Sequence, residues 1–201
     1  MQTRSEETRT HLLEAALRRF ASVGYNAASV DDICAAAGVS KGAFYHHFPS
    51  KQALFLALLN AWLETIDSGF QAVRQETVPE TLRAFTGLLP AIFAAADGHL
   101  PMFLEFWLQA SRDETVWQAT IAPYQRYQQY FTTLIQQGQT EGSLRPELDA
   151  PAAAKTIVGL AIGLLLQRLL TDDANWEKTA HASMEILLHG LMQNDSSGEK
   201  P

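Results

Sequence analysis

Lys41, Tyr45, His46 and His47 stand close together, behind Ser40, Gly42 and Ala43. An ammonium, a phenol and two imidazoles suit phosphate oxygens and base edges. Gly42 and Ala43 keep the start of the segment small, so its backbone can approach a partner closely. Catalysis is poorly served by the same residues. His46 and His47 are adjacent, about 100° apart on a helix, and cannot share a metal, for which the useful spacing is i, i+4. Cys34 lies on an apolar face and reads as a small core residue. Asp31-Asp32 and Asp172-Asp173 have the places of cap and turn carboxylates. There is no Gly-rich phosphate loop and no Gly-x-Ser-x-Gly. The sequence therefore nominates no catalytic residue, no metal and no cofactor.

Two short helices must position these side chains. Ser29 is suited to cap the first, because its hydroxyl can accept an unpaired backbone N–H. Asp31 and Asp32 follow in the first turn, where negative charge complements the helix dipole. Val30, Ile33, Cys34 and Ala37 give it one apolar face. Gly38 ends it as a left-handed cap. Ser40 caps the second helix and Pro49 closes it. Phe44 and Phe48 point to a core and leave Lys41, Gly42, Ala43, Tyr45, His46 and His47 to a partner. The pattern predicts a helix-turn-helix whose second helix enters a major groove. An αα-hairpin that only packs shares the same outline.

The charge is unevenly distributed. The whole chain of 201 residues carries a net −7, which argues against a general nucleic-acid coat. Residues 1–60 hold six Arg or Lys against five Asp or Glu, so the remainder carries −8 and would be repelled by phosphate. Any DNA face belongs to the first segment. A single cysteine excludes an internal disulfide and fits a reducing compartment. No signal-peptide pattern opens the chain. The longest apolar stretch, Ile157 to Leu166, is too short for a bilayer span and reads as buried helix. A cytoplasmic protein without a membrane partner is expected.

Phe20, Gly24-Tyr25, Ser29-Val30, Ile33, Ala37-Gly38-Val39-Ser40, Gly42, Phe44-Tyr45, His47-Phe48, Lys51 and Leu54 together resemble the N-terminal domain of the TetR family of bacterial transcriptional regulators. Two departures are visible. Cys34 stands where the family often has alanine. Ala28 stands where it often has a hydroxyl residue, a loss expected to remove one phosphate contact. The resemblance implies double-stranded DNA as partner and a dimeric regulator, with repression the commoner mode. It also places Lys51 at a phosphate and makes the helix that begins near it a lever between domains. Ser29, Ser40, His47 and Lys51 are then expected at phosphates, and Lys41, Gly42, Ala43, Tyr45 and His46 near bases.

The rest of the chain reads as helix throughout. A first helix, Thr3 to Val23, carries Leu13, Ala16, Leu17 and Phe20 and roofs the helix-turn-helix. A fourth runs from Ser50 toward Phe70. Another follows Pro79 through Leu82, Phe85, Leu89, Ile92 and Phe93, weakened at Gly87 and Pro90. Asp97-Gly98 is a turn and His99 to Ser111 a short helix. Glu114 to Glu141 is long, with Pro123 as a bend or true start. Asp149 caps a helix whose apolar run needs a second cover, and Trp176 to Met192 forms the last one. Two such helices from each of two chains make a four-helix bundle, hence a homodimer. The fold expected is all-α, about nine helices: a helix-turn-helix domain over 1–50, an effector-binding and dimerisation domain over 51–194, and a disordered tail over 195–201. Trp62, Ile66, Phe70, Phe85, Leu89, Phe93, Phe103, Phe106, Trp107, Tyr124 and Tyr127 are candidates to line a pocket for a small apolar or aromatic effector. Aromatic stripes at helical spacing are also ordinary core. Two other functions remain at this point. One is a helical ligand- or protein-binding dimer with no working DNA reader. The other is a small-molecule enzyme using the aromatic body.

Overall fold

The structure, a computed structural model, describes residues 2–73, 75–90, 100–171 and 175–192. Among these it holds the helices α1 (Gln2–Val23), α2 (Val30–Ala37), α3 (Lys41–His47), α4 (Lys51–Ala72), α5 (Val78–Thr86), α6 (Leu100–Ala110), α7 (Glu114–Glu141), α8 (Ala150–Leu170) and α9 (Trp176–Leu191). The only extended pairing among them is an isolated bridge between Leu144 and Met192. The all-α expectation holds. The tail over 195–201, the Asp97-Gly98 turn, Asp172-Asp173, Ile92 and Phe93 lie outside the described residues.

Two compact units emerge, Met1–Ile66 with Phe93–Ile121, and Asp67–Ile92 with Ala122–Pro201. The first therefore contains the helix-turn-helix together with most of α4 and with α6. In it, α1 packs on α2, α3 and α6. Leu12, Ala15, Ala16 and Phe20 of α1 are buried, whereas Leu13 and Leu17 are only partly covered. The expected stripe is thus rotated by one residue, because Leu12 and Leu13 are adjacent and either fits a helical period. Phe20, Tyr25 and Phe55 pack ring against ring, and Phe106 of α6 joins Phe55 with centroids 4.7 Å apart. Such ring pairs add about 0.5–1.5 kcal/mol each beyond area burial.

The second unit has its own core, built from Val78, Leu82, Phe85, Phe131, Ile135, Leu144, Ala154, Ile157 and Leu188 among others. Helix α9 packs on α5 and α8. The buried Trp176 indole N–H donates to the Leu164 carbonyl at 2.9 Å and fixes the entry to α9. Two expectations change here. The helix after Pro79 does not run on to Phe93. It ends at Thr86, where the Gly87 N–H turns back to the Ala84 carbonyl in a tightened final turn. Pro123, by contrast, neither starts nor interrupts α7, which runs through it. One lost donor is tolerated in a helix held on both sides by long regular flanks. Gly142 ends α7 at φ 79°. Gly138 has no room for a side chain, since a Cβ there would lie 2.6 Å from Leu144 Cδ1.

The segment Ala150–Arg168 is long and apolar enough to cross a bilayer by length and composition, a wider window than the Ile157–Leu166 run. Its Ala153, Ala154, Ile157, Val158, Leu164 and Leu165 are core residues of the second unit, as in a buried helix of a globular domain.

Candidate nucleic-acid interface

Local chemistry sets the frame of α2 and α3. Ser29 Oγ accepts the Asp32 N–H, and the Asp32 carboxylate accepts both the Ser29 N–H and hydroxyl, at 3.2 and 2.8 Å. This closes a capping box on α2. The Ser29 hydrogen bonds, with Arg19 3.5 Å away, hold the Asp32 carboxyl below the usual carboxylate range. Gly38 takes φ 67° and directs the chain into α3. There Ser40 Oγ accepts the Ala43 N–H at 3.2 Å. Its hydroxyl proton remains available to a phosphate oxygen.

Helix α3 divides by face. Phe44 and Phe48 are buried, 6.1 Å apart between centroids. Lys41, Gly42, Tyr45 and His46 are exposed, and Ala43 and His47 partly so. Tyr45 is 54 % exposed although large and apolar in body, and its ring stands edge-on to Phe44 at 5.2 Å. The structure thus gathers eight of the nine expected DNA-contacting residues on or beside α3 or at the exposed cap of α2. Lys41 is already engaged: its ammonium lies 2.7 Å from Asp31 Oδ1, a pair that raises the lysine pKa.

Lys51 is the ninth, and its setting differs from that of a surface lysine. Its ammonium donates to the carbonyls of Tyr25 and Ala28 at 2.8 and 2.9 Å. It also lies 4.3 Å from the centre of the Tyr25 ring. Burial lowers its pKa. Lys51 therefore ties the start of α4 to the turn between α1 and α2, with one N–H left for an external acceptor. Sequence reasoning missed this role, since two carbonyls more than twenty residues away leave no local signal. Ala28 is 1 % exposed, so its methyl belongs to the core.

The ten described residues of the expected pocket are divided between the two units. Trp62, Ile66, Phe103, Phe106 and Trp107 belong to the first unit. Phe70, Phe85, Leu89, Tyr124 and Tyr127 belong to the second. In the second, Phe70 packs on Phe85, Tyr127, Tyr130 and Phe131 with centroids 4.8–5.6 Å apart. Beside them Asp67 accepts the Tyr127 hydroxyl at 2.9 Å and the Arg126 guanidinium at 2.6 Å. Burial, and then the Asp67 hydrogen bond, push the Tyr127 phenol up to about 12. No motif announced this cluster.

Comparison with known proteins agrees with the geometry. Residues 12–58 match the model described as bacterial regulatory proteins, tetR family. Residues 79–193 match that of the BetI-type transcriptional repressor C-terminal domain. The HTH-type transcriptional repressor KstR2 of Mycolicibacterium smegmatis is 30 % identical over 70 % of this chain and 69 % of its own. The HTH-type transcriptional regulator UidR of Escherichia coli is 23 % identical over 96 % of each chain. Among solved structures, a TetR-family regulator from Cytophaga hutchinsonii superposes with TM-score 0.78 at 20 % identity, over 94 % of this chain and 96 % of that one. The ketosteroid regulator KstR2 of Mycobacterium tuberculosis does so with 0.74 at 23 %, over 92 % and 95 %. With an exposed, capped reading helix and family matches over both parts of the sequence, the chain belongs to the TetR family of bacterial transcriptional regulators and is a DNA-binding repressor rather than an enzyme.

Proposed function

We propose that two copies of this chain bind a near-palindromic operator, each inserting α3 into a major groove, and that a largely apolar small molecule releases them. The split face of α3 carries the DNA part of this reading: Phe44 and Phe48 anchor it while Lys41, Gly42, Tyr45 and His46 are exposed. Lys41, Gly42, Ala43, Tyr45 and His46 meet base edges; Ser29, Ser40, His47 and Lys51 meet phosphates. One head reads too few bases to be specific, and two on a two-fold axis read half-sites about one helical turn apart.

Dimerisation is supported by apolar surface on α8 and α9. Leu170 is 83 % and Ile186 77 % exposed in the single chain, large apolar side chains on helices that a second copy would cover. The partner is a second copy, joined through these two helices as a four-helix bundle. The effector is taken up by the aromatic residues of the body. The Phe70–Phe85–Tyr127 cluster supports an apolar or aromatic ligand, which would exchange ring–ring for ring–ligand contact. A relative named for ketosteroids is in keeping with that chemistry. Such a ligand shifts the DNA-binding equilibrium only by its differential affinity for the two conformations. Helix α4, which supplies residues to both compact units, is the lever. The protein then acts in the bacterial cytoplasm.

Genomic fragments selected on the purified protein at rising salt test this. An enriched short inverted repeat with a steep salt slope is expected. Absence of any enriched fragment at any salt would leave α3 without a reading function.

A further inference from the structure

Lys41 opens the reading helix, at the position from which helix-turn-helix proteins reach base edges. It does not stand free. Its ammonium is 2.7 Å from Asp31 Oδ1 across the turn, and both side chains are more than half exposed. Asp31 lies in the first turn of α2, so the pair bridges the N-terminal ends of the two helices on their exposed side. An acid beside a DNA-reading lysine weakens the attraction to phosphate, which makes its placement a cost to affinity.

We propose that Asp31 is a specificity-determining residue that acts through Lys41, holding the ammonium for a base edge and withholding it from random phosphates. An ammonium has three donors. One satisfies Asp31, and the exposed ammonium keeps the others for an outside acceptor. At the operator, with the helix in register, Lys41 reaches a guanine O6 or N7 while it keeps Asp31. The lysine is then pre-organised and loses little freedom on binding. On non-specific DNA the available acceptors are phosphates, whose contacts depend on net positive charge and counterion release. There the pair presents almost no net charge. Asp31 therefore lowers non-specific affinity while sparing the operator. This rests on the reading of α3 as the DNA-reading helix.

The test is a double-mutant cycle on the full chain, using the operator recovered by selection and a scrambled duplex of equal length. Binding is measured over a salt series for wild type, Asp31→Asn, Lys41→Met and the double variant, with helix content checked for each. Asp31→Asn should tighten binding to the scrambled duplex by about two- to fivefold per subunit, the range of an exposed ion pair. It should leave operator binding unchanged or weaker, so the specificity ratio falls. In the Lys41→Met background the same substitution should leave the ratio unaltered. If Asp31→Asn tightens both duplexes equally in both backgrounds, Asp31 is only a through-space repulsive charge and the proposal is overturned. A wild-type protein that shows no salt-dependent DNA binding at all would instead remove the DNA reading on which the proposal stands. Wild-type binding with no coupling between the two residues removes the proposal alone.

Discussion

Lys51→Met separates two jobs that one ammonium performs. Methionine keeps most of the apolar stem and removes the charge and the donors. The lysine donates at 2.8 and 2.9 Å to the Tyr25 and Ala28 carbonyls, which belong to the turn joining α1 to α2. Hydrogen bonds from charged donors contribute about 1.5–3 kcal/mol each where water is excluded. This site is only part-buried, so water re-solvates the carbonyls in the variant and the combined loss falls to roughly 2 kcal/mol. For a chain of this length about 1 kcal/mol moves the melting temperature by roughly 2–4 °C, so a fall of about 4–8 °C is expected by circular dichroism. On the proposed reading, the third N–H reaches a phosphate. Its loss should lower the slope of log affinity against log salt by about 0.9 per subunit.

The two readouts refute different steps. An unchanged melting temperature would show that the carbonyl contacts do not hold the α1–α2 turn. An unchanged salt slope with a lowered melting temperature would leave Lys51 as a purely structural tie and strike it from the phosphate contacts. Lys51→Arg retains a charge but spreads its donors in a planar fork. It should recover the slope better than the stability, since two carbonyls around one point charge do not match that fork.

Gly138→Ala forces a methyl to within 2.6 Å of the fully buried Leu144. It should destabilise by about 1–3 kcal/mol in a denaturant titration, and a neutral outcome would mean that the Leu144 turn shifts freely. Tyr127 should titrate near 12 rather than 10, with that step absent in Tyr127→Phe. Because its folded pKa is raised, the stability it contributes is present below pH 10 and is lost as pH rises toward 12; a single tyrosinate transition near 10 would contradict the Asp67 hydrogen bond. Ile186→Glu introduces a charge on the exposed face of α9 and should shift sedimentation from dimer to monomer while helix content is kept. A variant that remains dimeric places the interface elsewhere.

The parts of this protein that were legible in the sequence are those fixed by local chemistry. Ser29 with Asp32, Gly38, Ser40 and Asp149 act within three or four residues, and the structure uses each of them as a cap or a turn. What depends on partners distant in sequence was not legible. Lys51 finds carbonyls 23 and 26 residues away, and Asp67 finds Arg126 and Tyr127 about sixty away. The aromatic residues illustrate the same limit. Helical spacing says that Phe70, Phe85, Phe106 and Tyr127 are covered, but not by what. Phe106 meets Phe55, whereas Phe70 meets both Phe85 and Tyr127. Gly87 and Pro123 were both possible breaks. Helix α5 ends at Gly87, whose N–H turns back to the Ala84 carbonyl, while α7 runs through Pro123 with a single donor lost.

The head's charge near zero, set against an acidic remainder, acquires a physical meaning once its partners are named. Lys41 is held by Asp31, Arg19 lies against Asp32, and Arg18 approaches Glu14. Arg9 lies over the Phe48 ring and Lys51 is bound to two carbonyls. The three cations paired with carboxylates add little to the sequence-independent attraction that dominates non-specific binding, whereas Arg9 and Lys51 keep their charge. On the proposed reading, most of the affinity then comes from contacts that form only when α3 is in register, from Ser40, Tyr45, His46 and Lys41. Each such contact is modest, and a single head offers few of them. A reader of this design depends on pairing two heads, because linking them multiplies weak but selective contacts without raising the attraction to arbitrary DNA. Under the proposed dimeric, effector-released reading it would also make release easy: an effector need only spoil the match between two heads and two half-sites, since little non-specific attraction remains to hold the protein in place.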